Sequence, residues 1–201
     1  MIKYAILVGS KGRGSNMAAL LTGSASGTVP AECTLVVSPK ADTPAILRAQ
    51  ALGVKTEVLP YKSESYGGKL MALLLENQVE IICLAGYMTL LPSEVVEAYR
   101  GRILNIHPAL LPKFGGKGMY GHFVHEAVLA AGETESGCTV HYVTEEYDEG
   151  APIIQKKCRV LPDDTVETLS ARVLDLEHAA YQEALTLVAQ RIESGENGQE
   201  D

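Results

Sequence analysis

The 201-residue sequence predicts an α/β fold: one open sheet, mostly parallel, with helices on both faces and an antiparallel hairpin at its C-terminal end. Three observations carry this expectation. Over the first two thirds of the chain, short β-branched runs alternate with helix-period stretches, the pattern of βαβ units around a parallel sheet. The alternation then stops, and two strand-like runs follow each other across the turn-forming "YDEG". Finally, 46% hydrophobic and 21% charged residues at this length suit one substantial core. A single domain over residues 1–193 is expected, with a polar tail at 194–201 of disordered composition.

In chain order, "KYAILVG" supplies the first strand, and the glycine-rich "SKGRGSN" turns it into a helix starting near Met17. "CTLVVS" is the second strand. The helix "TPAILRAQALG" opens on Thr-Pro and closes on Gly53, a start and a stop signal. "KTEVLP" and "VEIICLAG" are strands separated by the helix "GGKLMALLLENQ", and "PSEVVEAYRG" is helical before the fifth strand, "RILNIH". Pro108 has no N–H to extend a central ladder, so His107 ends that strand. After the helix "VHEAVLAAG", the runs "GCTVHYVTEE" and "APIIQKKCRVL" form the hairpin. The last helix begins at "DDTVE", where Asp164 and Glu167 have capping-box spacing. Val166, Leu169, Val173, Leu176 and Ala180 form its apolar stripe, with Glu177 at the margin. No internal repeat is present, and the whole is a Rossmann-like arrangement.

A formal net charge of -8 with no segregated basic patch argues against a nucleic-acid partner. The opening apolar run is shorter than a signal-peptide core, and no stretch reaches the length of a membrane span, so a cytoplasmic protein without membrane contact is expected. Cys33, Cys83, Cys138 and Cys158 show no C-x-x-C spacing and lie in apolar runs, which reads as buried free thiols.

Three places carry chemistry. On the fifth strand, Ile103, Asn105 and His107 share one face and Leu104 and Ile106 the other. The polar pair therefore converges at the strand's C-terminal end, where open α/β sheets bind ligands, and two N–H donors aimed at one point suit a developing oxyanion. The turn "VGSKGRGSN" precedes a helix N-terminus and suits a phosphate, with a Cβ at Gly14 expected to fill the phosphate's space. It is not a P-loop, since Ser15 and Asn16 follow Gly14, nor a dinucleotide fingerprint, since Met17 stands at the third glycine; a tight turn without a ligand is the other reading. In the acidic turn after "TVHYV", Asp148 can reach back to a histidine and lift its pKa above the ordinary value of about 6.5, whereas a plain solvated turn would do neither. No metal is expected: His107, His141 and Asp148 lack short ligand-pair spacing. His122 and His125 at i and i+3 read as surface or packing histidines, not as a zinc helix.

Taken in order, "GRGSN", "SPKAD", "LAGYM", "LNIHPALLP", "GCTVHYV" with "DEGAPIIQ", and "LEHAAY" resemble the glycinamide ribonucleotide formyltransferases, folate-dependent enzymes of purine synthesis, over about Ile2 to Ile192. The resemblance implies that Gly14, Ser15 and Asn16 bind the substrate phosphate and Glu177 its ribose hydroxyls. It implies that Asn105, His107 and Asp148 are catalytic, stabilising a tetrahedral intermediate during transfer from 10-formyltetrahydrofolate. It further implies that Met88, Thr89, Leu90 and Leu91, with Asn105 and the turn Thr144 to Asp148, line the pterin pocket. Departures are visible. After Lys113 the family's Phe-Pro-Gly-Leu-His gives way to "FGGKGMYGHFVH", in which His125 holds the place of the second family histidine. Ser63 and Thr89 stand where relatives place arginines against the folate's glutamate tail, leaving Lys62 or Lys69 for that task. Methionyl-tRNA formyltransferase would add an RNA-binding domain and formyltetrahydrofolate deformylase an N-terminal one. A non-catalytic folate or nucleotide binder would not need the Asn105, His107 and Asp148 set.

Overall fold

The computed structural model describes residues 1–10 and 12–195. Its elements are β1 (Ile2–Val8), α1 (Ser15–Ser26), β2 (Ala31–Ser38), α2 (Pro44–Ala51), β3 (Thr56–Val58), α3 (Tyr66–Glu76), β4 (Ile81–Ala85), α4 (Ser93–Ala98), β5 (Ile103–His107), α5 (His122–Ala130), β6 (Glu135–Tyr142), β7 (Pro152–Arg159) and α6 (Val166–Glu193). Among the described residues the strands form one sheet in the order β3-β2-β1-β4-β5-β6-β7. Pairings from β3 through β5 are parallel; β6 runs antiparallel to both β5 and β7. The expected α/β sheet and terminal hairpin are both present.

Alternation along the strands sorts side chains into two cores. Tyr4, Ile6, Ile81, Cys83, Leu104 and Ile106 point to the face covered by α1 and α6; Ala5, Leu7, Ile82, Leu84 and Ile103 point to the face covered by α3 and α4. Asn105 and His107 belong to the second set by register, and they lie where that layer ends. The strand order reverses between β1 and β4, and their C-terminal ends open the crevice that such sheets use for ligands. Gly9 lets the chain pass there: a Cβ at this position would lie 1.9 Å from the Gly86 carbonyl oxygen.

Two details of α6 correct the sequence reading. Its N-cap is Thr165, whose hydroxyl accepts from the Thr168 N–H while the Thr168 hydroxyl accepts from the Thr165 N–H. Asp164 instead accepts both Arg172 guanidinium N–H groups, at 2.7 and 2.8 Å, together with the Leu161 N–H. A hydroxyl one residue later reaches the free amides, and the carboxylate is consumed by the fork of Arg172. The buried stripe runs Leu169, Val173, Glu177, Ala180, Tyr181, Ala184, Leu185 and Val188, so Glu177 lies within it and Leu176 at its margin. Tyr181 fixes this helix to the sheet, its hydroxyl lying 2.8 Å from the Leu84 carbonyl and 3.1 Å from that of Leu104.

The four cysteines are free; Cys83 and Cys138 are buried, whereas Cys33 and Cys158 are half-buried, short of the full burial expected. Ser194 caps α6, and the remainder of the expected tail, 196–201, lies outside the described residues. Among the described residues no helix is long and apolar enough to cross a membrane.

Candidate active site

A cavity of about 500 Å³ opens at the C-terminal edge of the sheet. Asn105 and His107 reach it from β5, Asp148 and Tyr147 from the turn after β6, Asn16 from α1, Glu177 from α6, and residues 116–121 from the glycine-rich loop. β6 places His141 directly opposite Asn105, and Thr139 opposite His107. The buried Thr139 hydroxyl donates to the Ala109 carbonyl at 2.7 Å and accepts from the Leu111 N–H and Gln155 Nε2, each at 3.1 Å. One proton and two lone pairs are thereby all used, and they pin the start of the loop beside β5.

The turn that carries Asp148 is closed by Gly150, where a Cβ would lie 1.7 Å from the Tyr142 carbonyl oxygen. Asp148 itself sits at φ 58°, a left-handed conformation that an aspartate tolerates better than most residues. That bend returns its carboxylate to the histidines. Oδ2 lies 3.6 Å from His107 Nδ1 and accepts the Gly116 N–H at 2.9 Å, and Oδ1 lies 3.5 Å from His141 Nε2. The other nitrogen of His107, Nε2, lies 2.8 Å from the Phe114 carbonyl, which can only accept. Its N–H is therefore held by the glycine-rich loop.

The expected upward shift of His107 is not found. Burial pushes its pKa down, and neither the carboxylate of Asp148 nor the bond to Phe114 offsets that; the nearby His141 adds to the depression. The ring is 4% exposed and Asp148 stands beyond hydrogen-bond contact at 3.6 Å, so desolvation outweighs attraction. Burial likewise pushes Asp148 up, but the bond to His141, the charge of His107 and the Gly116 N–H more than reverse this and hold the carboxyl below its ordinary range.

From α1 and α6, two further residues line the cavity, and Asn16 Nδ2 donates to Glu177 Oε2 at 2.7 Å. Asn16 Oδ1 is buried with no partner among the described residues. Burial raises Glu177 to about 7, with the Asn16 bond acting against the rise. Gly14 is the N-cap of α1 at φ 73°, and no acidic side chain occupies the helix's first turn, so its positive end is open to an anion. The expected crowding at Gly14 is redirected: a Cβ there would meet Ala45 of α2, 2.9 Å from its Cα, and not the space before the helix.

The other expected residues divide. Met88 lines the cavity; Thr89 and Leu90 are exposed and do not, and Leu91 is buried in the core layer under α3 and α4. Thr144 lies on a separate groove with Val96, Arg100 and Arg191, its hydroxyl bonded to the Glu146 backbone. Lys62 and Lys69 are exposed and outside the lining; His122 stacks on Phe123. His125 is 3% exposed, lowered by burial and by the charge of His107. Among the described residues no group of three or more His, Cys, Asp or Glu side chains is placed to hold a metal ion. Tyr147, within the expected turn Thr144 to Asp148, lines the cavity; sequence reading missed Tyr87 on its wall, although Tyr87 directly precedes Met88 in "LAGYM".

The formyl transferase profile matches residues 3–185. The chain belongs to the formyl transferase family. Within it, the chloroplastic phosphoribosylglycinamide formyltransferase of Arabidopsis thaliana is 42% identical over 202 residues, covering 98% of this chain and 68% of that protein. The trifunctional purine biosynthetic protein adenosine-3 of Gallus gallus is 43% identical over 98% of this chain, which spans only 19% of that protein's length. The crystal structure of glycinamide ribonucleotide transformylase 1 from Symbiobacterium toebii is similar at a TM-score of 0.86 and 38% identity, over 94% of this formyl transferase and 88% of that chain.

Proposed function

We propose that this formyl transferase moves the formyl group of 10-formyltetrahydrofolate to the amine of glycinamide ribonucleotide in purine synthesis. One observation carries the reading beyond family membership. The donors Asn105 and His107 with the carboxylate of Asp148, and the under-satisfied Asn16–Glu177 pair, line a single cavity. The first set suits acyl transfer to an amine, and the second suits a ligand rich in hydroxyls. Residues 1–193 are taken as the formyltransferase domain.

In the reaction the amine nitrogen bonds to the formyl carbon, the bond from that carbon to the folate nitrogen breaks, and one proton passes from the amine to the folate nitrogen. Asn105 donates to the carbonyl oxygen as charge grows on it. His107 joins through Nε2, whose present acceptor is the Phe114 carbonyl, so the substrate oxygen takes that carbonyl's place. Asp148 is ionised and accepts the migrating proton directly or through water. Gly14 and Ser15 at the start of α1 receive the phosphate; Asn16, with Glu177, serves the ribose, a reassignment supported by their mutual bond. The cavity's Tyr87, Met88, Ile106 and Met119 fit a flat ring system. Small molecules and not nucleic acid are the partners, no metal takes part, and the cytoplasm is the working compartment.

The test mixes the pure protein with 10-formyltetrahydrofolate, with and without glycinamide ribonucleotide, and follows tetrahydrofolate release. Release only with the ribonucleotide, undiminished by chelator, is expected. Equal release without it would indicate a deformylase, and loss in chelator restored by zinc would reveal a metal site.

A further inference from the structure

Asn105 and Asp148 both meet His141, a β6 side chain that is 2% exposed and has no part in the chemistry above. Its Nδ1 lies 2.8 Å from the Tyr142 carbonyl oxygen, which only accepts, so Nδ1 carries a proton. Its Nε2 lies 3.1 Å from Asn105 Nδ2 and 3.5 Å from Asp148 Oδ1. The first separation is a hydrogen bond and the second is at the outer limit of one. Nε2 serves one of these neighbours at a time: as an N–H it donates to Asp148 Oδ1, the bond that helps hold that carboxyl low, and as a lone pair it accepts from Asn105 Nδ2, the shorter of the two contacts.

We infer that neutral His141 is a positioning residue for formyl transfer: its Nε2 lone pair accepts one N–H of Asn105 and thereby fixes which end of that carboxamide serves the reacting carbonyl. The inference rests on the reading of Asn105 as oxyanion donor. A carboxamide has nearly the same shape after a half turn, so only its neighbours decide where oxygen and nitrogen point. A reversed Asn105 would set its own oxygen against the growing negative charge. Held by His141, Nδ2 keeps a second N–H, which has no partner among the described residues, for the substrate. The tether to Tyr142 sets the tautomer on which this depends.

The experiment combines ¹⁵N NMR of the histidine side chains in the full-length protein with steady-state kinetics. Nδ1 of His141 should be protonated and Nε2 unprotonated at the assay pH. In H141N the side-chain amide still reaches the Tyr142 carbonyl but offers no acceptor at the Nε2 position. Its kcat should fall about tenfold or more, a part of the ~100-fold or greater cost of removing an oxyanion donor outright, while KM for both substrates changes by less than about twofold. H141Q, with a carbonyl oxygen near the Nε2 position, should recover most of the loss. A protonated Nε2 in the wild type overturns the inference, as do an H141N kcat within about twofold of wild type or equal losses in both variants. Should H141N not fold, the wild-type spectrum and H141Q decide between these outcomes. A wild-type protein that transfers no formyl group would overturn the functional reading, and the spectrum would still judge the contact.

Discussion

At the β5 end of the cavity, both ring nitrogens of His107 and of His141 already face a neighbour: Phe114, Asp148, Asn105 or Tyr142. At the α6 end, Glu177 meets the side chain of Asn16, and Asn16 Oδ1 meets no partner among the described residues. The first end is a satisfied network, so a substrate works there by exchange, displacing the Phe114 carbonyl from His107. The second is a buried acid short of donors, held at a pKa of about 7 until a ligand supplies them. Variants should therefore lose rate at the first end, and at the second trade affinity for stability.

The largest effect belongs to Asp148. Asp148→Asn keeps the shape but removes the charge, and kcat should drop by roughly 100-fold or more, with smaller changes in either KM. His107, already below about 6.5, should titrate lower still, because the one carboxylate raising it is gone. Between the folded value and about 6.5 the unfolded chain binds more protons, so stability falls as pH falls through that window, and the variant extends the window downward. An NMR titration of His107 beside the pH-rate profile checks both. Unchanged turnover would leave the satisfied network without a catalytic part.

Glu177 tests the other end. Its displacement from 4.5 to about 7 means that the folded chain holds a proton the unfolded chain releases. The stability this confers is full below 4.5 and fades as pH rises through about 7, a swing on the order of 3 kcal/mol at about 1.4 kcal/mol per pH unit. Glu177→Gln lacks the swing, so at pH 8 it should be more stable than wild type and at pH 4 about equal. Ribonucleotide affinity at pH 8 should fall about 10- to 100-fold, the worth of hydrogen bonds to a charged group. Denaturant melts at two pH values and calorimetry with the ribonucleotide decide it. A variant that is no more stable at pH 8 would remove the contrast between the two ends.

Gly14→Ala should act through α2. An alanine at φ 73° costs about 1–2 kcal/mol, and its Cβ must move Ala45, so the α1 start shifts. Melting should fall by roughly 2–4 °C per kcal/mol lost, and ribonucleotide affinity should fall more than folate affinity. Equal loss of both ligands would show that the turn supports the fold and not a phosphate.

The sheet, its hairpin and the convergence of Asn105 with His107 were legible in the sequence because they follow from period-2 alternation and from Pro108. Asp148 could be proposed as a partner, but its 3.6 Å separation and the burial that reverses the shift of His107 depend on how three elements pack. Leu91 and Thr144 went astray for a related reason: adjacency to a motif does not say which way a side chain turns, and Leu91 turns into the core. Glu177 was placed at the edge of its stripe because an acid on a buried face is unusual, although its i+4 step from Val173 already aligned it with the stripe.

The smallest effect belongs to Thr165, and it is the control for Glu177. Both are on α6 or at its start, 12 positions apart by their numbers, which is about 18 Å of helix. Thr165→Ala removes the acceptor for the Thr168 N–H, and a lost N-cap of this kind costs about 1 kcal/mol. Fraying should stop within the first turns. Arg172 still grips Asp164, and beyond it the buried Val173 and Tyr181 hold the helix to the sheet on either side of Glu177. The expectation is a melting temperature lower by about 2–4 °C with kcat and both KM values unchanged. The Thr165 hydroxyl also helps hold the exposed Glu167 carboxyl below its ordinary value, so the stability loss should be somewhat larger at pH 8 than at pH 4, opposite in sense to the gain in Glu177→Gln. If ribonucleotide affinity fell as well, Glu177 would depend on the whole helix for its placement, and the stability gained in Glu177→Gln could not be assigned to the relief of one buried charge.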